Sequence, residues 1–367
     1  MIWIIIANEK VGGAEKRFTG IWEGLVKQAG YAELVKLVIP PPLYKIFADS
    51  SEFAGSFKKY RESILVHDFS YSGGAPLLRK NLRDFVYTFT GEGDTVHFID
   101  AHPLQSFKNR QVVFSVTQSS LRNLSIKGKA AQLLAVLFSQ KTDVLDPGIC
   151  SFVRRLFFLK GTSITQTPGS FCNTDIFKPV SAVDKQNWIV FTGRLEPVKQ
   201  IINFVKAIPA IYEAINGKEK GFKFYIIGWG SLKTSIDDIL KTAAYRDIPV
   251  VFEYMENVHE VMNRAKYFVS LQLHNNYPSK SLIEAMSAGA IPVVTDTGQT
   301  RWLVKDEFGF FVKEHFTAAD LAKVFAGTTG LPGADLEKRS QQARAFVLEN
   351  YSINNSISYF IRLYHKR

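Results

Sequence analysis

Arg194 and Lys199 stand five residues apart in the segment Gly193-Arg194-Leu195-Glu196-Pro197-Val198-Lys199. A guanidinium binds a diphosphate as a fork and an ammonium binds it as a point charge, so the pair could grip one pyrophosphate from a single loop. Cations at the start of a helix oppose its dipole, which makes an ordinary basic helix start the weaker account of the pair. A second segment runs from His274 to Met286. Its helix is expected to begin near Ser279–Ser281, so that the N–H groups there point towards an anion. Glu284 follows about a turn later, where it could bond a ribose diol. Its plainer role is to offset the helix dipole, worth about 0.3–1 kcal/mol.

Glycines occupy two more turns. Gly12 and Gly13, ahead of Ala14-Glu15-Lys16-Arg17, would let the backbone approach a phosphate, or would simply make a tight turn. They do not form the G-x-G-x-x-G dinucleotide fingerprint. Gly228-Trp229-Gly230 either contacts a ligand or merely turns the chain. In the first half, Asp100 and His102 are the nearest polar candidates to face a donor; a loop-capping aspartate and a surface histidine explain them as well.

Such residues need a scaffold that brings loop ends together. In the second half, apolar runs at 188–192, 222–227, 250–252, 267–271 and 291–295 alternate with helical patterns at 198–215, 232–246, 258–265 and 280–288. Continuous apolar strands separated by helices indicate βαβ units and a parallel sheet covered on both faces. Ligands of such sheets bind beyond the carboxyl ends of the strands, where the residues above fall. The first half alternates less cleanly, with strands expected at 2–6, 34–39, 63–66, 95–99 and 112–116 and helices at 13–28, 76–88 and 130–139. The fold class is therefore α/β, with two Rossmann-like doubly wound domains. Residues 1–167 form the first and 168–350 the second, with a hinge expected within 165–187. A last helix at 351–367, within a long amphipathic tail from 335, is placed to pack back on the first domain.

The 367 residues suit two cores, and 46% hydrophobic with 22% charged residues is a globular composition. Two cysteines, Cys150 and Cys172, offer neither a disulfide framework nor metal-ligand spacing and read as buried free thiols in a reducing cytosol. The apolar start Met1 to Ala7 is too short for a signal peptide or a membrane span, so a cytoplasmic location is expected. Net charge is +11, with an excess of 7 in residues 1–170 (21 cations, 14 anions) and 4 in residues 171–367 (24 and 20). A basic first half attracts anionic lipid or phosphorylated substrate, and no nucleic-acid module accompanies it. The segments 126–137 and 152–160 mix cations with apolar residues, as interfacial segments do and as core helices with snorkelling ends also do.

Taken together, these motifs resemble the retaining glycosyltransferases of the family 4 (glycosyl transferases group 1) class. The match runs through Gly12-Gly13-Ala14-Glu15, Thr167-Pro168-Gly169-Ser170, Gly193-Arg194-Leu195 with Lys199, Gly228-Trp229-Gly230, and Pro278 to Gly289, continuing to Asp296-Thr297-Gly298. The resemblance covers 165–330 well and 20–160 thinly. It implies the GT-B fold, two Rossmann-like domains facing each other across a cleft. It also implies transfer of a hexose from a UDP- or GDP-sugar to a glycan or lipid-linked acceptor with retention, as in bacterial surface polysaccharide or glycolipid synthesis.

By that resemblance Arg194 and Lys199 hold the donor diphosphate, Gly12 and Gly13 lie over it from the acceptor side, and Glu15 and Arg17 are acceptor-side residues. Gly193, Gly228, Ser279, Lys280, Ser281 and Leu282 line the donor, Glu284 binds its ribose, and Tyr254 and Met255 stand where the base is held. Asp100 and His102 are the catalytic candidates of the first domain. Where the family's Glu-x₇-Glu motif has its first carboxylate, this chain has Asn276; asparagine keeps hydrogen-bonding capacity but adds no charge, so this departure bears on donor choice and activity. The family's histidine after the 112–116 strand is also absent, with Thr117 and Gln118 in its place. No metal and no cofactor are expected, and no Asp-x-Asp pair is present. The expected partners are a nucleotide-sugar donor, the acceptor and, peripherally, an anionic membrane. A catalytically silent GT-B scaffold for another transferase is the alternative; a sugar-nucleotide epimerase and a nucleic-acid-binding protein fit fewer of the motifs.

Overall fold

The computed structural model describes residues 1–50, 52–117, 125–180 and 185–365. The chain forms two units, Met1–Gly169 with Ile353–Arg367, and Ser170–Ser352.

The first unit runs β1 (Ile2–Ile6), α1 (Gly13–Val26), β2 (Val35–Ile39), α2 (Pro41–Ala48), α3 (Ala54–Lys59), β3 (Ile64–Val66) and α4 (Ala75–Phe89). It continues through β4 (Thr95–Ile99), β5 (Gln111–Val116), α5 (Ile126–Phe138), β6 (Lys141–Val144), α6 (Pro147–Leu156) and β7 (Ile164–Gln166). Its sheet has the order β3-β2-β1-β4-β5-β6-β7, and neighbouring strands in it pair in parallel. β4 and β5 are buried along their whole length, as strands covered on both faces must be.

The second unit holds β8 (Gln186–Thr192), α7 (Ile201–Ala214), β9 (Lys223–Ile227), α8 (Lys233–Leu240), β10 (Val250–Glu253), α9 (Val258–Met262) and β11 (Ala265–Ser270). α10 (Lys280–Ser287), β12 (Ile291–Asp296), α11 (Thr300–Leu303), β13 (Phe310–Lys313), α12 (Ala318–Thr329) and α13 (Gly333–Asn350) follow. The parallel order β10-β9-β8-β11-β12-β13 is that of a doubly wound nucleotide-binding domain, and it reverses direction between β8 and β11. One core cluster packs α7 and α12 on the sheet, and another packs α10 and α13 on it.

α14 (Ile353–Tyr364) belongs to the first unit. Ser356, Ile357, Phe360, Leu363 and Tyr364 are its buried residues, at the spacing of one helical face. It packs on α1, where a Cβ at Gly24 would come within 2.4 Å of Ile357 Cδ1, so any larger residue there would require the Ile357 side chain to shift. Polar bonds reinforce the apolar contact. His97 on β4 bonds the Tyr364 hydroxyl through Nδ1 (2.8 Å) and Ser115 Oγ through Nε2 (2.7 Å). Ser115 and Tyr359 donate to the two oxygens of Asp143 at 2.8 and 2.6 Å. Burial pushes the Asp143 carboxyl up and takes the His97 imidazole down to about 3.

Several elements differ from the sequence reading. The helix expected at 232–246 is α8 followed by a separate 3₁₀ turn, Ala243–Tyr245, where the Tyr245 hydroxyl donates to Val205 O at 2.5 Å. The long tail is two helices, interrupted where Cys172 N bonds Tyr351 O at 3.2 Å. The segment expected as a hinge begins inside β7. Both cysteines are buried and free. Among the described residues no helix is long and apolar enough to cross a membrane.

Candidate functional site

The reversal of strand order puts the loops after β8 and β11 side by side, and Arg194, Lys199 and the start of α10 lie on those two loops. Backbone bonds lace the neighbouring loops together. Gly193 N donates to Ile227 O (3.0 Å), Leu195 N to Trp229 O (2.8 Å), Leu232 N to Leu195 O (3.1 Å) and Leu273 N to Val198 O (2.9 Å). The two glycines after β9 exist for this approach. A Cβ on Gly228 would sit 1.9 Å from Gly193 O, and one on Gly230, at φ +157°, would sit 2.6 Å from Leu195 O. Close backbone packing within the unit therefore accounts for both glycines.

Leu195 is fully buried, which turns its neighbours outward. Arg194 is exposed and its Nη1 bonds Glu196 Oε1 at 2.9 Å. Lys199 closes a 3₁₀ turn, Pro197–Lys199, so it precedes α7 instead of lying inside a helix begun at 198; left-handed Gln200 (φ 49°) separates them. Its ammonium makes no hydrogen bond or close ion pair among the described residues. Loss of water around it, with Arg194 nearby and only partial relief from Glu196, lowers its pKa to about 8.

Asn276 is 1% exposed. Its Nδ2 donates to Ser270 O at 2.9 Å and approaches Thr295 Oγ1 at 3.5 Å, while its Oδ1 accepts from Ser270 Oγ at 2.7 Å. The side chain thus clamps the ends of β11 and β12 together, and both its polar atoms are satisfied by protein. A donor-contacting role at this position is not what the geometry offers. The mutation Asn276→Glu should accordingly destabilise the protein, by about 2–4 kcal/mol, because it sets a buried carboxylate against a carbonyl oxygen. Urea unfolding measures this; unchanged stability together with altered donor choice would return Asn276 to the ligand.

The rest of the β11 loop is held as firmly. His274, at φ 70°, donates its N–H to Glu314 Oε1 at 2.6 Å, and a Cβ on Gly298 would lie 2.3 Å from His274 O. Asn275 Oδ1 accepts from Tyr277 N and Gln299 N, both at 3.0 Å. These contacts fix the start of α10. Ser279 is its N-cap without a side-chain cap bond, and the N–H groups of Ser281 and Leu282 have no acceptor among the described residues. Leu282 itself is buried, so only its backbone is available. Lys280 Nζ lies 3.6 Å from Glu284 Oε1, placing the two on one helix face.

Tyr254, beyond β10, is 62% exposed, whereas Met255 packs against the core. Trp229 is equally exposed on the adjacent loop, tied to β10 by Gly228 N to Glu253 O at 3.0 Å. The sequence reading did not single out Trp229, nor Glu196 and Glu314; a tryptophan between two turn glycines was the available signal for the first.

In the first unit, strand order reverses between β1 and β4, whose loops hold the remaining candidates. Gly12 is the N-cap of α1, and a Cβ on Gly13 would meet nothing within 4 Å. Glu15 is buried and accepts from Asn8 Nδ2 at 2.8 Å. Asp100, at φ 57°, accepts from the Thr117 N–H (3.0 Å) and hydroxyl, which is loop capping; burial raises its pKa to about 6 despite these bonds. Two expectations need correction. His102 is neither a reactive nor a surface histidine: it is buried between Phe98 and Phe114, Nδ1 accepts from Leu104 N at 2.9 Å, Nε2 faces Ser139 Oγ at 3.3 Å, and burial takes its pKa to about 3. Arg17 is also buried and donates to Thr167 Oγ1, so it serves the unit's interior and does not reach outward for an acceptor. Gln118 lies outside the described residues. Among those described, no group of three or more His, Cys, Asp or Glu could hold a metal ion.

Two parallel-sheet units of this strand order, the second with cations and an open helix start at its switch point, define the GT-B class of glycosyltransferase fold. More particularly, residues 173–344, within the second unit, match the family model described as Glycosyl transferases group 1. The chain is similar in structure to Anabaena HepE in complex with UDP (TM-score 0.71, 15% identity, 98% of each chain covered). It is also similar to a glycosyltransferase from Rickettsia africae (0.72, 14%, covering 99% of this chain and 97% of that one). Sucrose-phosphate synthase from Thermosynechococcus elongatus is a further structural neighbour (0.62, 14%, 82% and 80%). At these identities the likeness is one of fold. No curated protein matches the sequence.

Proposed function

We propose that this protein transfers a hexosyl group from a UDP- or GDP-sugar to a glycan or lipid-linked acceptor, with retention and without a metal, in the assembly of a bacterial surface polysaccharide or glycolipid. One observation carries this reading. Lys199 and Arg194 stand on a loop laced to the one that starts α10, so two cations and open helix N–H groups are available to a single diphosphate. When the bond from the anomeric carbon to the β-phosphate oxygen breaks, its electron pair leaves with the nucleoside diphosphate. Preorganised positive charge stabilises that leaving group, as an oxyanion hole stabilises its oxyanion. The acceptor hydroxyl supplies the oxygen that replaces it and gives up its proton. Glu284 is the residue for the ribose diol, and the exposed rings of Tyr254 and Trp229 are the nearest flat surfaces for a base. Anabaena HepE has also been crystallised with UDP-glucose, which favours a uridine donor as the first to try.

A panel of nucleotide sugars tested for thermal stabilisation identifies the donor, since a ligand that binds only the folded state raises apparent stability by mass action. Release or transfer of the sugar then separates an enzyme from a silent scaffold. Stabilisation by no nucleotide sugar would end the proposal.

Binding should also take up a proton above pH 8. Free Lys199 is largely neutral there, and an adjacent diphosphate favours its ammonium form. Calorimetry in buffers of different ionisation enthalpy should show proton uptake at pH 9 and little at pH 7, with affinity falling as pH rises through 8. Lys199→Met should abolish the uptake. In the free protein the sign is opposite: between about 8 and 10.5 the unfolded chain holds the extra proton, so this lysine makes the fold more stable as pH rises.

A further inference from the structure

Helices α5 and α6 join β5 to β6 and β6 to β7, two successive steps in one direction across the sheet. Right-handed crossovers put both on the same face, and their inner residues, among them Val136, Ile149 and Val153, enter one core cluster. Their outer side is not that of a solvated helix pair. On α5, Ile126, Leu134 and Leu137 are spaced along one helical stripe and are 85%, 41% and 47% exposed. On and after α6, Phe152, Leu156, Phe158 and Leu159 are 50%, 48%, 75% and 86% exposed. Lys160 Nζ donates to Leu137 O at 2.6 Å and Ser139 O at 2.9 Å, which pins the turn after α6 to the end of α5 and makes the two stretches one patch. Single exposed apolar side chains need no explanation, whereas a contiguous cluster marks an interaction site.

The charges around the patch say what it meets. Between residues 125 and 164 the carboxylates are Asp143 and Asp146, both buried, at 1% and 4%. Lys127, Arg154 and Arg155 are exposed. We propose that this surface docks the protein on an anionic lipid bilayer. Headgroup phosphates answer the cations while Phe158 and Leu159 enter the acyl boundary, as in interfacial helices. A second copy of the chain fits poorly, because a two-fold contact would bring these cations against one another with no carboxylate on the patch to answer them. Such docking is independent of sugar transfer.

The test is flotation of the full chain with vesicles of phosphatidylcholine alone and of an equal mixture with phosphatidylglycerol. Retention is expected on the mixed vesicles only. Lys127→Gln with Arg155→Gln should weaken it about thirtyfold, and Phe158→Ser with Leu159→Ser about tenfold or more, with wild-type melting temperatures for both pairs. Leu348→Ser on α13, a similarly exposed residue of the second unit, should change nothing. Absence of retention, or retention indifferent to both pairs, overturns the proposal. So does self-association that Phe158→Ser with Leu159→Ser abolishes while lipid binding stays absent, or capture of an acidic protein in place of lipid.

Discussion

Lys199→Met should lower kcat by about 10²–10³ and leave the fold intact, the scale for removing one preorganised donor from a developing negative charge. The methionine keeps the stem and deletes only the ammonium. Among the described residues that ammonium has no close partner, and its pKa is already lowered to about 8 by its surroundings, so removing it relieves a small strain in the free protein and forfeits attraction only when a diphosphate is present. Lys199→Arg should recover part of the loss, because the charge survives while the point geometry does not. Arg194→Ala should cost less than Lys199→Met, since Arg194 is exposed and its charge is already offset by Glu196 at 2.9 Å. Steady-state turnover with the best donor, beside urea unfolding of each variant, checks all three. Wild-type turnover in Lys199→Met would show that the leaving group is stabilised elsewhere.

Gly228→Ala should destabilise the second unit by about 3–5 kcal/mol and abolish donor binding with it. The cause is steric, since the added Cβ would stand 1.9 Å from Gly193 O, a backbone atom that cannot swing aside as a side-chain tip can. To make room, the loop after β8 must move, and Arg194 and Lys199 move with it. Gly13→Ala supplies the contrast: its Cβ would meet nothing within 4 Å, so stability should change by only a few tenths of a kcal/mol. Chemical denaturation separates the two cases. A Gly228→Ala protein as stable as wild type would mean that the two loops are not held together as described.

The second sheet was readable because its strands are continuous apolar runs, and β9 and β12 fall within a residue of their expected bounds. The first sheet lost strands for physical reasons. β6 reads Lys-Thr-Asp-Val, a polar run that buries its Thr and Asp only because Ser115 and Tyr359 arrive from elsewhere to bond Asp143. α2 begins at Pro41, and a cluster of prolines reads as a loop although proline suits the first turn of a helix. At the site, motif spacing located the loops but not what each side chain touches. Asn276 finds Thr295 nineteen residues later, and no local pattern announces such a pairing. His102 illustrates the same limit: a histidine three residues past the end of a strand looks exposed until Phe98, Phe114 and Ser139 are seen around it.

The membership of α14 in the first unit has a consequence for biosynthesis. Translation is vectorial, and domains generally fold as their residues emerge. Residues 170–352 are one uninterrupted stretch and can finish as soon as they are made. The amino-terminal unit cannot: His97 and Asp143 wait for Tyr364 and Tyr359, which the ribosome supplies only after the whole of residues 170–352. Of the two units, the one begun first is therefore the one completed last, and a ribosome stalled before Tyr359 would leave both His97 and Asp143 without their phenolic partners.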